Sequence, residues 1–234
     1  ITSSDPGKVI SVNTAAAAFE LSWPDDALNN FFVSKENGVD DSNHGKSKNA
    51  PFKTLRFAMG YIDNNVTEDS AAHVEVSEGK YEEILPIRVP PLTTIRGQGL
   101  RNTEISPAAG YDSAAAMLYL SNGNLLEGLL FTGMSGFKKD SINPDDIEAA
   151  YDSTATHPAR TIKGAFLRLD PTRRISGKSP YIKHCTAIST GGIGAVIDGK
   201  HLSTDSTTFG SMVFHAFTQI HSDGVGFWVR NNGK

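Results

Sequence analysis

The stretch His73–Gly97, HVEVSEGKYEEILPIRVPPLTTIRG, limits the possible folds more than any other part of the chain. It holds three short β-type runs, His73–Val76, Ile84–Val89 and Thr93–Arg96, separated by Glu78-Gly79 and by Pro90-Pro91. Short apolar runs bounded by Gly and Pro read as strands, and the linkers are too short to hold helices. Three strands with two sharp corners in 25 residues fit either a meander or one coil of a β-solenoid. Repetition further along decides between them.

After Gly97 two kinds of run alternate. One comprises Met117–Gly123, Ala165–Pro171, Gly194–Lys200 and Gly226–Asn232, each a short apolar alternation closed by Asn, Asp or Gly. The other comprises Leu125–Gly133, Tyr181–Ser189 and Met212–Ile220. The last two members of each series recur at roughly 30 residues, the range of solenoid repeats. Laid over each other, the runs place Leu126, Ile182 and Val213 in one column and Leu129, Cys185 and Ala216 in another. His184 then stands level with His215, and the two rings are expected to point outward and stack. The support is periodicity, since few residues are copied between repeats. A meander requires no such recurrence, and the reading is a solenoid whose coils bury inward side chains against the coils above and below. Cys185 falls at an inward position and reads as a small core residue rather than a reactive thiol.

Ahead of the solenoid, residues 1–30 carry a weak strand at Lys8–Val12, an Ala run and the Trp23-Pro24-Asp25-Asp26 turn, and read as a lead-in. Phe31–Ser34 is an expected strand, Asn37–Lys48 a polar loop, and Pro51 stands where a helix would begin. Leu55, Ala58, Met59 and Ile62 follow at i, i+3, i+4 and i+7, one apolar stripe on a short helix. Such a helix would cover the first coil, whose open end exposes apolar side chains and unpaired strand edges. Residues 134–163 break the repeat with a polar segment and an expected turn of helix at Pro144–Tyr151. Solenoid insertions of this kind leave the stack as lateral loops.

Composition narrows the function classes. A net charge of −4 with no Lys/Arg run longer than two gives no electrostatic footprint for nucleic acid. The single cysteine leaves no intrachain disulfide and no Cys-based metal site. No apolar stretch approaches the length of a membrane span, so no membrane contact is expected. No motif implies a cofactor.

Two segments resemble a known family. Phe-Val-Ser, a Gly/Asp/Ser loop, Pro51-Phe52-Lys53-Thr54-Leu55 and a short helix resemble the N-terminal portion of right-handed parallel β-helix proteins of the pectin-lyase-like superfamily. Val76–Glu83 is similar to that superfamily's first coil, where Gly79 would let the chain turn and Tyr81 would pack at the corner. The order KSPYIKHCTAIS, GGIGAVIDG, SMVFHAFTQIHSDGVGFWVRNNGK over Gly164–Lys234 is similar to virion structural proteins of cyanophage-like marine myoviruses. These resemblances imply an all-β fold, a single-stranded right-handed parallel β-helix over 31–234 with an N-terminal capping helix at about 51–62. They also imply a tail, baseplate or fibre-associated component of a virion, assembled in the host cytoplasm. Lyases, hydrolases, tailspikes and adhesins share this fold, so the fold leaves the chemistry open.

A polysaccharide-cleaving β-helix needs clustered carboxylates, or Ca²⁺ held by acids beside a basic residue. The candidates are Asp170, Arg173, Arg174, Asp198, Asp205 and Asp223. Asp170 and Asp198 hold equivalent places in consecutive repeats, so their carboxylates could stack on one edge. Asp before Gly or Pro at a strand end is also ordinary corner chemistry. The paired acids and Gly-His-Gly motif of the hydrolase branch are absent, as is the Arg-x-Pro-x-x-Arg pattern of pectate lyases. The expectation is therefore a non-enzymatic scaffold, with lyase or hydrolase activity as the alternative. His44, His157, His184, His201, His215 and His221 show no metal-ligand spacing, and Asp40, Asp41, Asn43 and Gly45 lack the bidentate acid of a Ca²⁺ loop. Tyr181 and Trp228 are candidates for a sugar platform, Trp228 also fitting the core. The expected partners are other virion subunits, or a second copy through the uncapped strand run Gly226–Asn232, and a polysaccharide ligand. No capping segment follows that run, so the natural chain is expected to continue or to associate there.

Overall fold

The computed structural model describes residues 9–13, 18–22, 29–99, 101–135, 163–170, 172–173, 178–189, 191–198, 211–221 and 225–230, with backbone alone at 9–13, 18–22, 189, 198, 221, 225 and 228–230. In chain order its elements are β1 (Val9–Asn13), β2 (Ala18–Ser22), β3 (Asn30–Val33), α1 (Leu55–Asn65), β4 (Ala72–Val76), β5 (Gly79–Glu83), β6 (Ile87–Arg88), β7 (Thr93–Gly97), β8 (Thr103–Pro107), β9 (Ala116–Leu120), β10 (Leu125–Glu127), β11 (Leu130–Thr132), β12 (Ala165–Leu169), β13 (Tyr181–Lys183), β14 (Thr186–Ser189), β15 (Ile193–Asp198), β16 (Val213–His215), β17 (Thr218–His221) and β18 (Val225–Arg230). The first two pair antiparallel, a hairpin within the expected lead-in. All the other strands lie in three parallel sheets. Sheet I is ordered β3-β4-β7-β10-β13-β16, sheet II β5-β8-β11-β14-β17, and sheet III β6-β9-β12-β15-β18.

Each coil gives one strand to each sheet in turn, so five coils stack and β3 adds a sixth strand to sheet I. A meander would pair sequence neighbours antiparallel. Here the partners are coil neighbours in parallel register, such as Val74 with Ile95 and Tyr81 with Ile105. Among the described residues the chain is predominantly β, with three all-parallel sheets stacked as a parallel solenoid, the β1–β2 pair and one helix. The first series of repeating runs supplies sheet III. Each member of the second supplies a strand of sheet I and one of sheet II. In the first coil Gly79–Glu83 is itself a strand, rather than part of a corner as the apolar pattern suggests. Only Tyr81 and Glu83 of GKYEE are buried, too little apolar signal for the alternation to announce itself. Gly79 opens this strand at φ +136, and the Tyr81 hydroxyl donates to Ser77 O at 3.1 Å, fastening the corner before it.

Inward side chains form files along the stack. Phe31, Val74, Ile95, Leu126 and Ile182 follow one another across sheet I, all essentially inaccessible to water. The sixth member is Phe214, which pairs with Ile182, while Val213 pairs with Tyr181. The column of Leu126, Ile182 and Val213 is thus one residue out of step at its last member, and Val213 is 49% exposed. Continuing the same register sets Phe217, not Ala216, above Leu129 and Cys185. The corner between sheets I and II shows why. Gly128, His184 and Ala216 occupy one station in successive coils, and all three take the left-handed conformation (φ +67, +49 and +50). Laying Met212–Ile220 over Tyr181–Ser189 from their first residues, which sets His184 level with His215, slips the chain by one place, and in a strand one place turns every side chain to the opposite face. The rings are nevertheless neighbours, 5.5 Å apart. Cys185 is fully buried, as expected.

The helix begins at Leu55 rather than near Pro51. Thr54 is its N-cap, its Oγ1 accepting from Phe57 N at 3.1 Å. The expected stripe Leu55, Ala58, Met59 and Ile62 is the buried face, and α1 packs against β3, β4, β5 and β6. Its N-terminus is tied to the first coil by Glu83, whose buried carboxylate accepts from Leu55 N (2.7 Å) and Arg56 N (3.2 Å). Burial raises the Glu83 pKa, opposed by those two N–H donors. Of the polar segment between β11 and β12, only the two ends are described. Both junctions are held by the β8–β9 connection, Ser135 N donating to Asp112 O (2.8 Å) and Gly164 N to Ala114 O (2.7 Å). The expected helical turn at Pro144–Tyr151 lies outside the described residues. Among these, no helix is long and apolar enough to cross a membrane.

Candidate functional site

Asp170 follows β12 directly and is held there by the sheet, its N–H donating to Leu120 O at 2.8 Å. One carboxylate oxygen, Oδ1, accepts from Thr172 N (2.8 Å), from Thr172 Oγ1 (2.7 Å) and from the Arg88 guanidinium. The other, Oδ2, faces Arg173 Nε at 3.9 Å. Arg88 comes from β6, two coils below, and lies across the Tyr119 ring at 4.8 Å on the way. Arg173 in turn donates to Asp63 Oδ1 at 2.6 Å, on α1. The result is an alternating chain, Arg88–Asp170–Arg173–Asp63, running from sheet III to the helix.

This geometry suits an electrostatic staple better than a catalytic acid or base. The Asp170 side chain has no accessible surface, so no substrate atom reaches it. Burial pushes its pKa up, but the Arg88 and Thr172 hydrogen bonds outweigh burial and hold it below the usual carboxylate range. A general base needs the opposite tuning, and inverting hydrolysis needs a second carboxyl across a water-sized gap. Asp63 stands beyond an intervening arginine. Sequence reading picked out Asp170 and Arg173 but neither Arg88 nor Asp63, which are 82 and 110 residues away from their partners. The solenoid register alone brings them close.

Of the other candidates for cleavage chemistry, Asp198 alone is placed, by its backbone. Arg168 pairs with Val196, which sets Asp170 and Asp198 at equivalent stations two residues on; the Asp198 side chain is not described. Arg174, Asp205 and Asp223 lie outside the described residues, as do His157 and His201. Tyr181 is on β13 in sheet I, whereas Trp228 is on β18 in sheet III, so the two belong to different sheets; the Trp228 and His221 side chains are not described. Tyr181 faces outward beside the inward Ile182, its ring parallel to that of His215 at 6.5 Å. The neighbouring outward file of sheet I alternates in charge. Arg96 Nη2 and Lys183 Nζ both meet Glu127, each at 2.9 Å, and Lys48 Nζ meets Glu75 at 2.8 Å. The hydrogen bond from Lys183 is the main reason the Glu127 pKa is lowered.

The acids of the 40–45 loop serve the loop itself. Asp40 accepts from Lys53 N (2.8 Å), Thr54 N (3.0 Å) and Thr54 Oγ1 (2.8 Å), fixing the approach to α1. Asp41 bonds His44 Nδ1 at 2.6 Å, and that bond is the first cause of its lowered pKa. Among the described residues no group of three or more His, Cys, Asp or Glu is arranged to hold a metal. Compared with known proteins, the chain matches no family model, no curated protein and no solved structure.

Proposed function

We propose that the chain is a right-handed parallel β-helix, capped by α1, that serves as a rigid non-enzymatic scaffold in a phage tail, baseplate or fibre. The observation that carries the non-enzymatic reading is the state of Asp170, a carboxylate with no accessible surface whose Oδ1 accepts from Arg88 and Thr172. Stacked files of buried side chains through successive coils support stiffness along the axis, because each coil is packed on both sides. Right-handed crossover between parallel strands is the strongly preferred hand. The virion assignment draws on the likeness of Gly164–Lys234 to myovirus structural proteins. Subunit contact is assigned to the coil of β16–β18. There Phe214, Phe217 and Phe227 cluster with centroids 4.9 to 6.3 Å apart, and Phe227 is 48% exposed. Contact with host glycan is assigned to the outward face of sheet I around Tyr181.

The alternative, a polysaccharide lyase or glycoside hydrolase, is favoured by the equivalent stations of Asp170 and Asp198. Incubation with acidic polysaccharides, with and without Ca²⁺, separates the two readings. The scaffold reading expects neither unsaturated products nor new reducing ends. Turnover abolished by Asp198→Ala would reverse the ranking. Immunogold labelling of purified particles tests the virion assignment, and an unlabelled particle rejects it.

A further inference from the structure

A cleft of about 620 Å³ runs along α1, with the end of β5 on its other side. Its size is that of a small-molecule site. Phe57 and Tyr61 line it, and each rests on the fully buried Phe52 ring, at 5.2 and 5.1 Å. Tyr61 also meets the Phe31 ring edge-on at 5.9 Å. Both rings are thereby fixed in place while part of their surface stays in the cleft, a prearranged stacking platform.

The polar groups around that platform are fixed as well. Asn64 and Asn65, one helical turn on, donate from Nδ2 to Gly60 O and Tyr61 O, both at 2.7 Å. Each amide keeps its carbonyl oxygen and second N–H for a ligand. Across the cleft Glu82 is exposed on the outward side of β5. Among the described residues the one basic group lining the cleft, Arg56, is committed to Ile84 O (2.9 Å) and Pro86 O (3.3 Å). With Asp40, Glu82 and Glu83 also lining it, the cleft has an acidic balance that disfavours an anionic ligand.

Gly60 gives the cleft its open wall. A glycine inside a helix costs about 1 kcal/mol relative to alanine. No packing demands it here, since a Cβ at Gly60 would meet no atom within 4 Å. Fixed aromatic surface, rigid amides that both donate and accept, a carboxylate and, among the described residues, no available cation match the chemistry of a polyhydroxylated, uncharged ring. We propose that the α1 cleft binds a neutral saccharide. The site is separate from the Tyr181 face, so this inference and the scaffold reading can fail independently.

Calorimetric titration of the 234-residue chain with cellohexaose, maltohexaose and chitohexaose, and with hexagalacturonate as the anionic arm, tests it. At least one neutral probe is expected to bind saturably at millimolar concentration or below. Gly60→Leu, which fills the open wall, should weaken that binding at least about tenfold, with melting temperature unchanged or raised. Asn64→Ala, at an exposed position, should also weaken it, and Tyr181→Ala should leave it unchanged. The proposal is overturned if no neutral probe binds, if binding survives both Gly60→Leu and Asn64→Ala, or if only hexagalacturonate binds.

Discussion

Adjacent leucines on β10 offer the sharpest test of the solenoid register. Leu126 is fully buried between Ile95 in the coil below and Ile182 in the coil above, whereas Leu125 points outward in the file of Thr94 and Tyr181. Truncating Leu126 to alanine removes its transfer free energy and leaves a cavity between coils whose spacing the sheet hydrogen bonds hold, so collapse is limited. Buried Leu→Ala replacements cost about 2.7–5.0 kcal/mol according to how far the site relaxes. The rigid coil spacing places Leu126→Ala in the upper half, about 4 kcal/mol. At about 2–4 °C per kcal/mol for a chain of this size, the melting temperature should fall by roughly 8–16 °C. Leu125→Ala, which opens no enclosed cavity, should cost about 1 kcal/mol or less. Urea and thermal unfolding followed by circular dichroism measure both. The same pair of replacements at Phe214 and Val213 tests the corrected last member, with Phe214→Ala expected to cost more. Equal losses at Leu125 and Leu126, or a larger loss at Val213 than at Phe214, would refute the register and the argument built on it.

Asp170→Asn should destabilise by about 3 kcal/mol, at the low end for a broken buried pair, because the Arg88 side chain is 42% exposed and can turn to water. The Asp170 pKa is lower folded than unfolded, so its contribution is present above the unfolded value near 3.8 and is lost as pH falls through the folded one. Acid titration of stability should therefore be shallower in Asp170→Asn than in the parent. Burial pushes the Cys185 thiol up to about 12; at pH 8 about one thiol in ten thousand is ionised. Iodoacetamide should leave Cys185 unmodified in the folded protein and alkylate it promptly in denaturant, as mass spectrometry will read. Gly45 holds φ +92, and a Cβ there would lie 2.0 Å from the Phe52 ring. Gly45→Ala should cost about 3 kcal/mol or more from backbone strain and overpacking combined, seen as a melting temperature lowered by at least about 6 °C.

The parallel stacking was readable because runs of the same kind recur along the chain, at roughly 30 residues for the last members, in the range of solenoid repeats. MLYLSNG, AFLRLDP, GAVIDGK and GFWVRNN announce sheet III by apolar content alone, and the stripe Leu55, Ala58, Met59 and Ile62 announces α1. Each signal is local, one residue type against its near neighbours. The strand Gly79–Glu83 escaped because a polar strand with one inward aromatic looks like a turn in composition. The slip at Val213 escaped because laying Met212–Ile220 over Tyr181–Ser189 from their first residues gives a register that only backbone conformation, left-handed at Gly128, His184 and Ala216, contradicts.

What the amino-acid order determined unaided was the kind of layer the chain builds and the small helix beside it, since alternation and capping act over a few residues. Tertiary structure alone decided which layers meet. It put Arg88 and Asp63 at the two ends of the Asp170–Arg173 pair, set Tyr181 and Trp228 on different sheets, and opened the cleft beside Gly60. Such contacts depend on how many residues each coil consumes. An unequal count, 21 between Ala72 and Thr93 but 56 between Leu125 and Tyr181, leaves no local trace of who faces whom.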